Sequence, residues 1–305
     1  MSGEPNPSPL VSVVLPTING SRFIAESITS ILTQTYRHLE LIVVDGGSTD
    51  GTLEIVARLT EPRLKVLCQR SNIDKLPGAL NAGFAIATGT YFTWTQDDDL
   101  YGPDALAVMV RALNDNPDVG LVYAGFHFVD ENRRFIRSAT LGPPEGLTRS
   151  NVVGHCFLYR RAVAEQAGPY DPAFLMSEDT HFWLRVYQRS RLLYLPGCYY
   201  FHRLHSGSLS IRDYGRYQAL RVSARARRQV LGISLWAYAR QVSAAYIEEA
   251  FAAYAQRDLQ RVRWCLLHGL LRNPTWLRNR GVWSLGVRSV LGLKSARWFG
   301  RFTKS

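Results

Sequence analysis

The strongest restriction on the fold comes from a short apolar segment that recurs early in the chain, each time followed at once by polar, turn-forming residues. The segments are residues 10–16, 39–44 and 90–94, and the polar clusters after them are PTIN (16–19), DGGSTDG (45–51) and QDDD (96–99). Segments with helical spacing lie between them, and strands that alternate with helices predict a parallel, doubly wound α/β sheet. In such a sheet ligands bind beyond the carboxyl ends of the strands. The three clusters are therefore predicted to meet at one edge.

Further elements extend this pattern to about residue 210. We expect helices over residues 22–36, 50–59 and 78–87, a strand over residues 63–68, and a helix opened by Pro103. Later segments predict a hairpin around residues 131–132, a strand within 154–161, a helix over 177–190 and a closing polar loop over 200–210.

The charge divides the chain into two parts. The whole sequence has a net charge of +11, yet residues 211–305 hold 18 Lys and Arg against 4 Asp and Glu. The first 210 residues hold 18 basic and 21 acidic side chains. With 46% hydrophobic residues the composition is globular. We therefore predict a disordered Pro- and Ser-rich start (1–9), a near-neutral α/β domain (10–210) and a basic helical region (211–305).

The sequence also indicates the cellular compartment in which the protein is expected. Its start has neither the basic nor the apolar region of a signal peptide, and no stretch is apolar throughout a membrane-spanning length. Its four cysteines are widely spaced, which favours isolated thiols in a reducing compartment. We expect a cytoplasmic protein without a membrane span.

Three adjacent carboxylates, Asp97, Asp98 and Asp99, follow the strand at residues 90–94. Because like charges repel, a folded protein keeps such a run in full solvent or beside a cation. A solvated loop that caps the next helix is one interpretation. The other is a divalent metal site, since carboxylate oxygens suit Mg²⁺ or Mn²⁺ bound with phosphate oxygens. Asp45 has a similar pair of interpretations, as a turn residue or as an acceptor for ribose or base.

Seven segments, taken in order, resemble family 2 glycosyltransferases: PTIN, VVDGGSTDGT, ALNAGFAIATG, DDDLYGPDAL, GHCFLYRRAV, SEDTHFWLRV and RLHSGSLS. The resemblance covers roughly residues 10–210 and is to the inverting, nucleotide-sugar-dependent group. It implies the GT-A fold, a Rossmann-like, mostly parallel sheet flanked by helices. It also implies a hexosyltransferase-type enzyme of polysaccharide or glycolipid biosynthesis.

The resemblance further implies a nucleotide-binding set, namely Pro16, Thr17, Asn19, Asp45, Lys75 and Asp97. Asp45 would reach the base or ribose of a UDP-, dTDP- or GDP-linked sugar. Asp98 would bind the Mn²⁺ or Mg²⁺ ion on the diphosphate, with His205 as a second ligand of metal or phosphate. Other candidates around the diphosphate are Asp99, Arg203 and Ser208. The family often writes the metal motif D-x-D-D, and this chain has Gln96 at its first position.

For the acceptor side, the resemblance implies that Asp179 is the general base of inversion. A carboxylate near the acceptor can deprotonate the attacking hydroxyl, and burial raises its pKa toward the working pH. Glu178 and His155 are weaker candidates. Without the resemblance, an acidic pair at the start of a helix would be interpreted as compensating the helix dipole. A lone histidine such as His205 would be interpreted as a structural or solvent-exposed side chain. A glycan or a polyprenyl-linked lipid is the expected acceptor.

Two other functions fit parts of the sequence. A nucleotidyltransferase also uses an α/β sheet and carboxylate-bound metal, but it would need a Gly-rich basic loop after the first strand, where PTINGSRF has a single arginine. The basic region could suit a nucleic-acid-binding protein, although no known reading motif is present. Interleaved Trp, Leu and Arg instead favour helices on an anionic membrane surface, so we expect peripheral association and no nucleic acid.

Overall fold

A computed structural model of the chain describes residues 8–69, 74–205, 207 and 215–291. The chain divides into two compact units, Met1–Ser206 and Gly207–Ser305. Of the start that was predicted to be disordered, residues 1–7 lie outside the described part.

The first unit is built on one sheet. Its strands are β1 (Val11–Thr17), β2 (Leu39–Asp45), β3 (Leu64–Cys68), β4 (Tyr91–Trp94), β5 (Leu100–Tyr101), β6 (Val119–Val129), β7 (Phe135–Ala139), β8 (Cys156–Arg160) and β9 (Arg191–Arg203). They lie in the order β3-β2-β1-β4-β8-β6-β9-β5, with β7 paired to β6. The first four are mutually parallel, and β8 then runs antiparallel to both of its neighbours. The predicted α/β fold is confirmed.

The described residues of this unit form six α-helices: α1 (Ile24–Leu32), α2 (Thr52–Ala57), α3 (Lys75–Ile86), α4 (Ala105–Asp115), α5 (Arg161–Ala167) and α6 (Glu178–Tyr187). The apolar positions of α1 recur at helical spacing, and Ile24, Ile28 and Ile31 are fully buried in the main core. The same core receives α4 and the inward side chains of β1 and β2. Because β1 and β2 are almost completely buried, they are near-continuous apolar runs in the sequence, interrupted by the buried polar residues Ser12 and Glu40.

The polar loop predicted over residues 200–210 is wrong for its first part, because residues 200–203 are the end of the long strand β9. A Pro196-Gly197 pair interrupts the strand's pattern. The structure accommodates it as an irregularity, since the β6–β9 register shifts between Ala124 and Gly125, and Gly197 has a φ of +102°. Among the remaining residues of that loop, 206 and 208–210 lie outside the described part.

The second unit is helical, as its composition predicted. Its helices are α7 (Gly215–Leu231), α8 (Leu235–Ala255), α9 (Leu259–Arg272) and α10 (Arg280–Leu291). They share a core that includes Val242, Ile247, Val262 and Leu285. In the part of the chain that the structure describes, no helix combines the length and the apolar character needed to cross a membrane.

Candidate functional site

The polar clusters after β1, β2 and β4 come together at the carboxyl edge of the parallel strands. Thr17 is the register partner of Asp45, so the ends of β1 and β2 are level. The Thr17 hydroxyl donates to a carboxylate oxygen of Asp97 over 2.5 Å. The predicted convergence of the three clusters is thus observed.

The turn after β2 is shaped by side chains predicted to bind nucleotide. The Asp45 carboxylate is buried and accepts hydrogen bonds from the amides of Gly47 (2.9 Å) and Ser48 (3.1 Å). Asn19 has a left-handed φ of +55°, and its side-chain oxygen accepts from the Thr49 amide over 2.8 Å. In this structure both residues order the DGGST turn, which fixes the outline of any pocket beside it.

Two other members of the predicted nucleotide-binding set lie on the same parallel strands or just after them. Pro16 is half-buried in β1, paired with Val44. Lys75 is exposed at the first position of α3, with a left-handed φ of +49°. Because α3 follows β3, this lysine starts its helix from the carboxyl edge of the sheet.

Gly20 is a site residue that the sequence analysis missed. A Cβ built on it would lie 2.1 Å from an Asp97 carboxylate oxygen, so the backbone and this carboxylate approach as closely as glycine allows. Burial raises the pKa of Asp97 to about 6, against the hydrogen bond from Thr17. The signal in the sequence was a glycine directly after PTIN, a position where a close approach is common.

Asp98 and His205, the two residues predicted to bind metal, lie side by side. His205 Nε2 is 2.8 Å from Asp98 Oδ2, and the imidazole packs against the Phe23 ring. The other oxygen, Asp98 Oδ1, is buried and has no hydrogen-bond partner among the described residues. Burial and the charge of Asp99 raise the pKa of Asp98. A buried carboxylate oxygen without a donor, beside an imidazole, fits a divalent cation.

Asp99 has a different environment from its neighbours. It is fully buried and accepts hydrogen bonds from the Tyr200 hydroxyl (2.9 Å) and the Arg203 amide (2.8 Å), while His202 Nδ1 lies 3.0 Å away. Burial opposes its ionisation, but the His202 charge outweighs that and lowers the pKa of Asp99. Asp99 therefore attaches the acidic loop to the end of β9.

A second group of residues that could bind a metal consists of Asp99, His155 and His202. Their potential metal-ligand atoms all lie within 4.8 Å of one another. His155 stacks on His202 with ring centroids 4.1 Å apart. Because the oxygens of Asp99 already accept hydrogen bonds from β9, Asp98 is the better candidate ligand. His155 therefore packs against His202, the histidine that contacts Asp99 of the acidic loop.

Arg203 reaches the acidic loop from its inner side. It is 1% exposed, and its guanidinium donates to the Asp98 carbonyl (2.8 Å), the Glu131 carbonyl (2.9 Å) and a Glu26 carboxylate oxygen (2.8 Å). All of these acceptors are protein oxygens, so here Arg203 orients the Asp98 loop. Ser208, the other predicted diphosphate residue of this segment, lies outside the described residues.

Glu178 and Asp179 form an acidic pair at the start of α6. Asn151 Nδ2 donates to Asp179 Oδ2 over 2.7 Å, and the Thr180 amide donates to the other oxygen over 2.5 Å. Burial raises the pKa of Asp179. Glu178 is also buried, its Oε2 has no hydrogen-bond partner among the described residues, and burial with the Asp179 charge raises its pKa to about 7. Such a shift is typical of functional carboxylates.

Asp179 belongs to the same edge of the sheet as the acidic loop. Because β8 runs antiparallel to β4, the chain enters β8 from the carboxyl end of β4, and Asn151 precedes that entry. Tyr170, whose pKa the Asp179 charge raises further beyond the effect of burial, accepts a hydrogen bond from Trp94 Nε1 over 2.9 Å. Trp94 ends β4 just before the acidic loop. The candidate base and the candidate metal ligands therefore flank one strand end.

Comparison with known proteins identifies the family to which this chain is similar. The profile described as glycosyl transferase family 2 matches residues 12–168. An uncharacterised glycosyltransferase of Rickettsia prowazekii is 29% identical over 199 residues, which cover 61% of this chain and 61% of that protein. A PGL/p-HBAD biosynthesis glycosyltransferase of Mycobacterium bovis is 30% identical over 189 residues, with 61% and 73% covered. The matched part of this chain thus spans about three fifths of the first relative.

Solved structures share the fold. S. aureus TarS 1–349 in complex with UDP-GlcNAc superposes with a TM-score of 0.64 at 17% identity, covering 92% of each chain. The mannosyltransferase PcManGT from Pyrobaculum calidifontis, in complex with GDP-Man and Mn²⁺, gives 0.58 at 20% identity, covering 93% of this chain and 86% of its own. Because the family profile matches more than half of the sequence and the fold is that of solved glycosyltransferases, this chain belongs to glycosyl transferase family 2.

Proposed function

We propose that the chain is an inverting glycosyltransferase that moves a sugar from a nucleoside-diphosphate sugar to a hydroxyl group of a glycan or a polyprenyl-linked acceptor. The observation that carries the proposal is the placement of the Asp98–His205 pair and of Asp179 around the end of β4. Family membership favours this function over nucleotidyl transfer and over nucleic-acid binding.

On the donor side, Thr17, Asp45 and Asp97 line the edge where a nucleoside would lie, and Lys75 begins α3, the helix that follows β3. Structural neighbours were solved with UDP-GlcNAc and with GDP-Man, which supports a nucleotide-sugar donor. In this proposal Pro16 and Asn19 act by shaping the turn rather than by specific recognition. Uracil, thymine and guanine nucleotides all remain candidate donors.

The metal ligands in this proposal are Asp98 and His205. Asp98 Oδ1 supplies a buried oxygen that no described donor satisfies, and Arg203 holds the backbone of the same residue. A bound Mn²⁺ or Mg²⁺ ion would neutralise charge on the departing diphosphate. A mannosyltransferase neighbour was solved with Mn²⁺, which supports this ion.

Asp179 is the proposed general base. Its carboxylate would take the proton from the acceptor hydroxyl while that oxygen bonds to the anomeric carbon and the bond to the diphosphate oxygen breaks with its electron pair. The hydrogen bond from Asn151 orients the carboxylate, and burial keeps it basic enough for this task. Glu178 lies beside it as a buried carboxyl group with a raised pKa.

A direct test screens UDP-, dTDP- and GDP-linked sugars for hydrolysis or transfer in the presence of Mn²⁺. We expect one donor class to react, and Asp98→Ala to abolish the metal-dependent rate. Asp118→Asn, an exposed carboxylate paired with Arg191, is the matched control and is expected to keep the wild-type rate. Equal rates for Asp98→Ala and wild type, or no reaction with any sugar nucleotide, would contradict the proposal.

The second unit supports the proposed location and, through it, the proposed acceptor. Its excess of arginine, together with exposed tryptophan and leucine, supports peripheral association with an anionic membrane surface, where a polyprenyl-linked acceptor would be available.

A further inference from the structure

Helices α9 and α10 carry apolar side chains on the face turned away from their core. On α9, Val262, Cys265 and Leu266 are buried, whereas Trp264, Leu267 and Leu271 are exposed at the spacing of one helix face. On α10, Val282 and Leu285 are buried in the same way. Its exposed apolar residues include Trp283, Val287 and Val290. We call these six exposed residues the α9–α10 outer face.

Several side chains of this outer face are mostly exposed to solvent. Leu271 is 71% exposed and Val290 is 70% exposed, although both lie in well-formed helices. Scattered apolar residues on a surface need no explanation, but a contiguous apolar stripe along a helix marks an interaction site.

The charged side chains of residues 259–291 are all of one sign, and one of them, Arg261, is paired with the Glu249 carboxylate of α8. Residues 259–291 contain six arginines and no aspartate or glutamate. The guanidinium of Arg261 lies 5.0 Å from the centre of the Trp264 ring, so at least one cation sits directly beside an exposed aromatic. Tryptophan with flanking arginine is typical of side chains at the level of lipid headgroups.

The charge pattern decides between the possible occupants. In a symmetric dimer the same surface would face itself, and the five arginines of residues 259–291 other than Arg261 would meet their copies on a segment that contains no aspartate or glutamate. An anionic lipid surface offers both of the matching components, because phosphate groups pair with arginine and acyl chains receive leucine, valine and tryptophan.

We propose that the α9–α10 outer face inserts into the headgroup region of an anionic phospholipid leaflet, with the arginines of residues 259–291 other than Arg261 on lipid phosphates. The inference deepens the proposed membrane association, on which it rests, by assigning the lipid contact to the exposed apolar stripes of two helices. It makes apolar insertion and charge attraction jointly necessary.

Flotation with phospholipid vesicles tests this assignment. The full-length protein should float with phosphatidylcholine vesicles that contain phosphatidylglycerol, less so at high salt, and should stay unbound with phosphatidylcholine alone. The double variant Leu267→Gln/Val287→Gln keeps the charge and changes exposed helix positions only, and we expect its partitioning to fall about tenfold or more. Ile86→Gln/Phe135→Gln, which removes exposed apolar groups from the first unit, is the matched control and should bind like wild type.

The outcomes separate this inference from the proposed enzyme activity. Sugar transfer with a water-soluble donor, measured without vesicles, should be equal in wild type and Leu267→Gln/Val287→Gln. Binding of this variant at the wild-type level, equal binding of wild type to neutral vesicles, or an equal loss in the control would overturn the inference and leave the activity untouched. A wild-type dimer that dissociates on Leu267→Gln/Val287→Gln would also overturn it, in favour of a second copy as occupant.

Discussion

Asp97, Asp98 and Asp99 are neighbours in sequence, yet the fold gives each a different partner. Asp97 accepts from Thr17, Asp98 lies against His205, and Asp99 is enclosed by the end of β9. Like-charge repulsion makes such a run unfavourable, and each carboxylate is offset by a different group: a hydroxyl donor, a candidate metal site and a buried histidine. A single residue type thus occupies three different environments within one loop, of which, in the described part of the chain, only that of Asp99 is fully satisfied by protein groups.

Glu178 gives a prediction at the same scale. Its folded-state pKa of about 7 exceeds its ordinary value of 4.5, so the folded protein holds this proton more tightly than the unfolded chain. The stability that results is fully present below pH 4.5 and is lost as the pH rises through 7. Glu178→Gln should therefore match wild type in free energy of unfolding at low pH and exceed it by about 3 kcal/mol above neutrality.

Urea unfolding between pH 4 and pH 8, followed by circular dichroism, measures this difference. Glu54→Gln, which removes an exposed carboxyl from the same unit, is the control. A constant difference between Glu178→Gln and wild type would show that folding does not raise the pKa of Glu178, which contradicts this prediction.

At the scale of elements, the site depends on how closely the turn after β1 approaches the loop after β4. Gly20 permits that approach, because any Cβ there would meet the Asp97 carboxylate. The turn is further held by two hydrogen bonds to the segment after β2, since the Asn19 amide donates to the Ser48 hydroxyl and the Asn19 side-chain oxygen accepts from the Thr49 amide. Three strand ends are thus locked together by short polar contacts rather than by apolar packing.

Gly20→Ala should displace Asp97 and weaken nucleotide binding while costing about 1–3 kcal/mol of stability. Gly142→Ala is the control, since its Cβ would find its nearest neighbour at an ordinary 3.8 Å. Calorimetric titration with UDP and GDP measures the binding, and thermal unfolding measures the stability. Unchanged affinity in Gly20→Ala would show that Asp97 is not part of the nucleotide site.

The elements also show what the sequence could and could not predict. The strands β1, β2 and β4 were predictable because buried parallel strands are continuous apolar runs that end in turn residues. The end of β9 was not, because Pro196 and Gly197 break its pattern and the bulge that absorbs them depends on pairing with β6. The grip of Tyr200 and His202 on Asp99 was equally invisible, since it joins residues about a hundred positions apart.

At the scale of the whole molecule, charge predicted a helical basic region but not its internal organisation. The structure shows Glu249 fully buried between Arg221 and Arg261, which joins α7, α8 and α9 through one carboxylate. Breaking a buried ion pair on one side leaves charge without compensation. The second unit therefore has its own polar core, distinct from the acidic site of the first.

Glu249→Gln should destabilise the second unit by about 3 kcal/mol because both arginines lose their partner. Hydrogen–deuterium exchange should speed up in α7, α8 and α9, while the amides of β1 and β2 stay protected. Glu248→Gln, at the adjacent exposed position, is the control and should exchange like wild type. Equal acceleration in the sheet would contradict the division into two units.

The most direct measurement is calorimetric titration of UDP or GDP, with and without Mn²⁺, into wild type, Asp98→Ala and Asp179→Asn. We expect Mn²⁺ to tighten nucleotide binding in wild type and in Asp179→Asn but not in Asp98→Ala. The rate of sugar transfer, measured on the same variants, should fall by a factor of about 10² or more in Asp179→Asn. If the metal has no effect on wild-type binding, or if Asp179→Asn still transfers sugar at the wild-type rate, the assignment of metal ligand and base around the end of β4 is wrong.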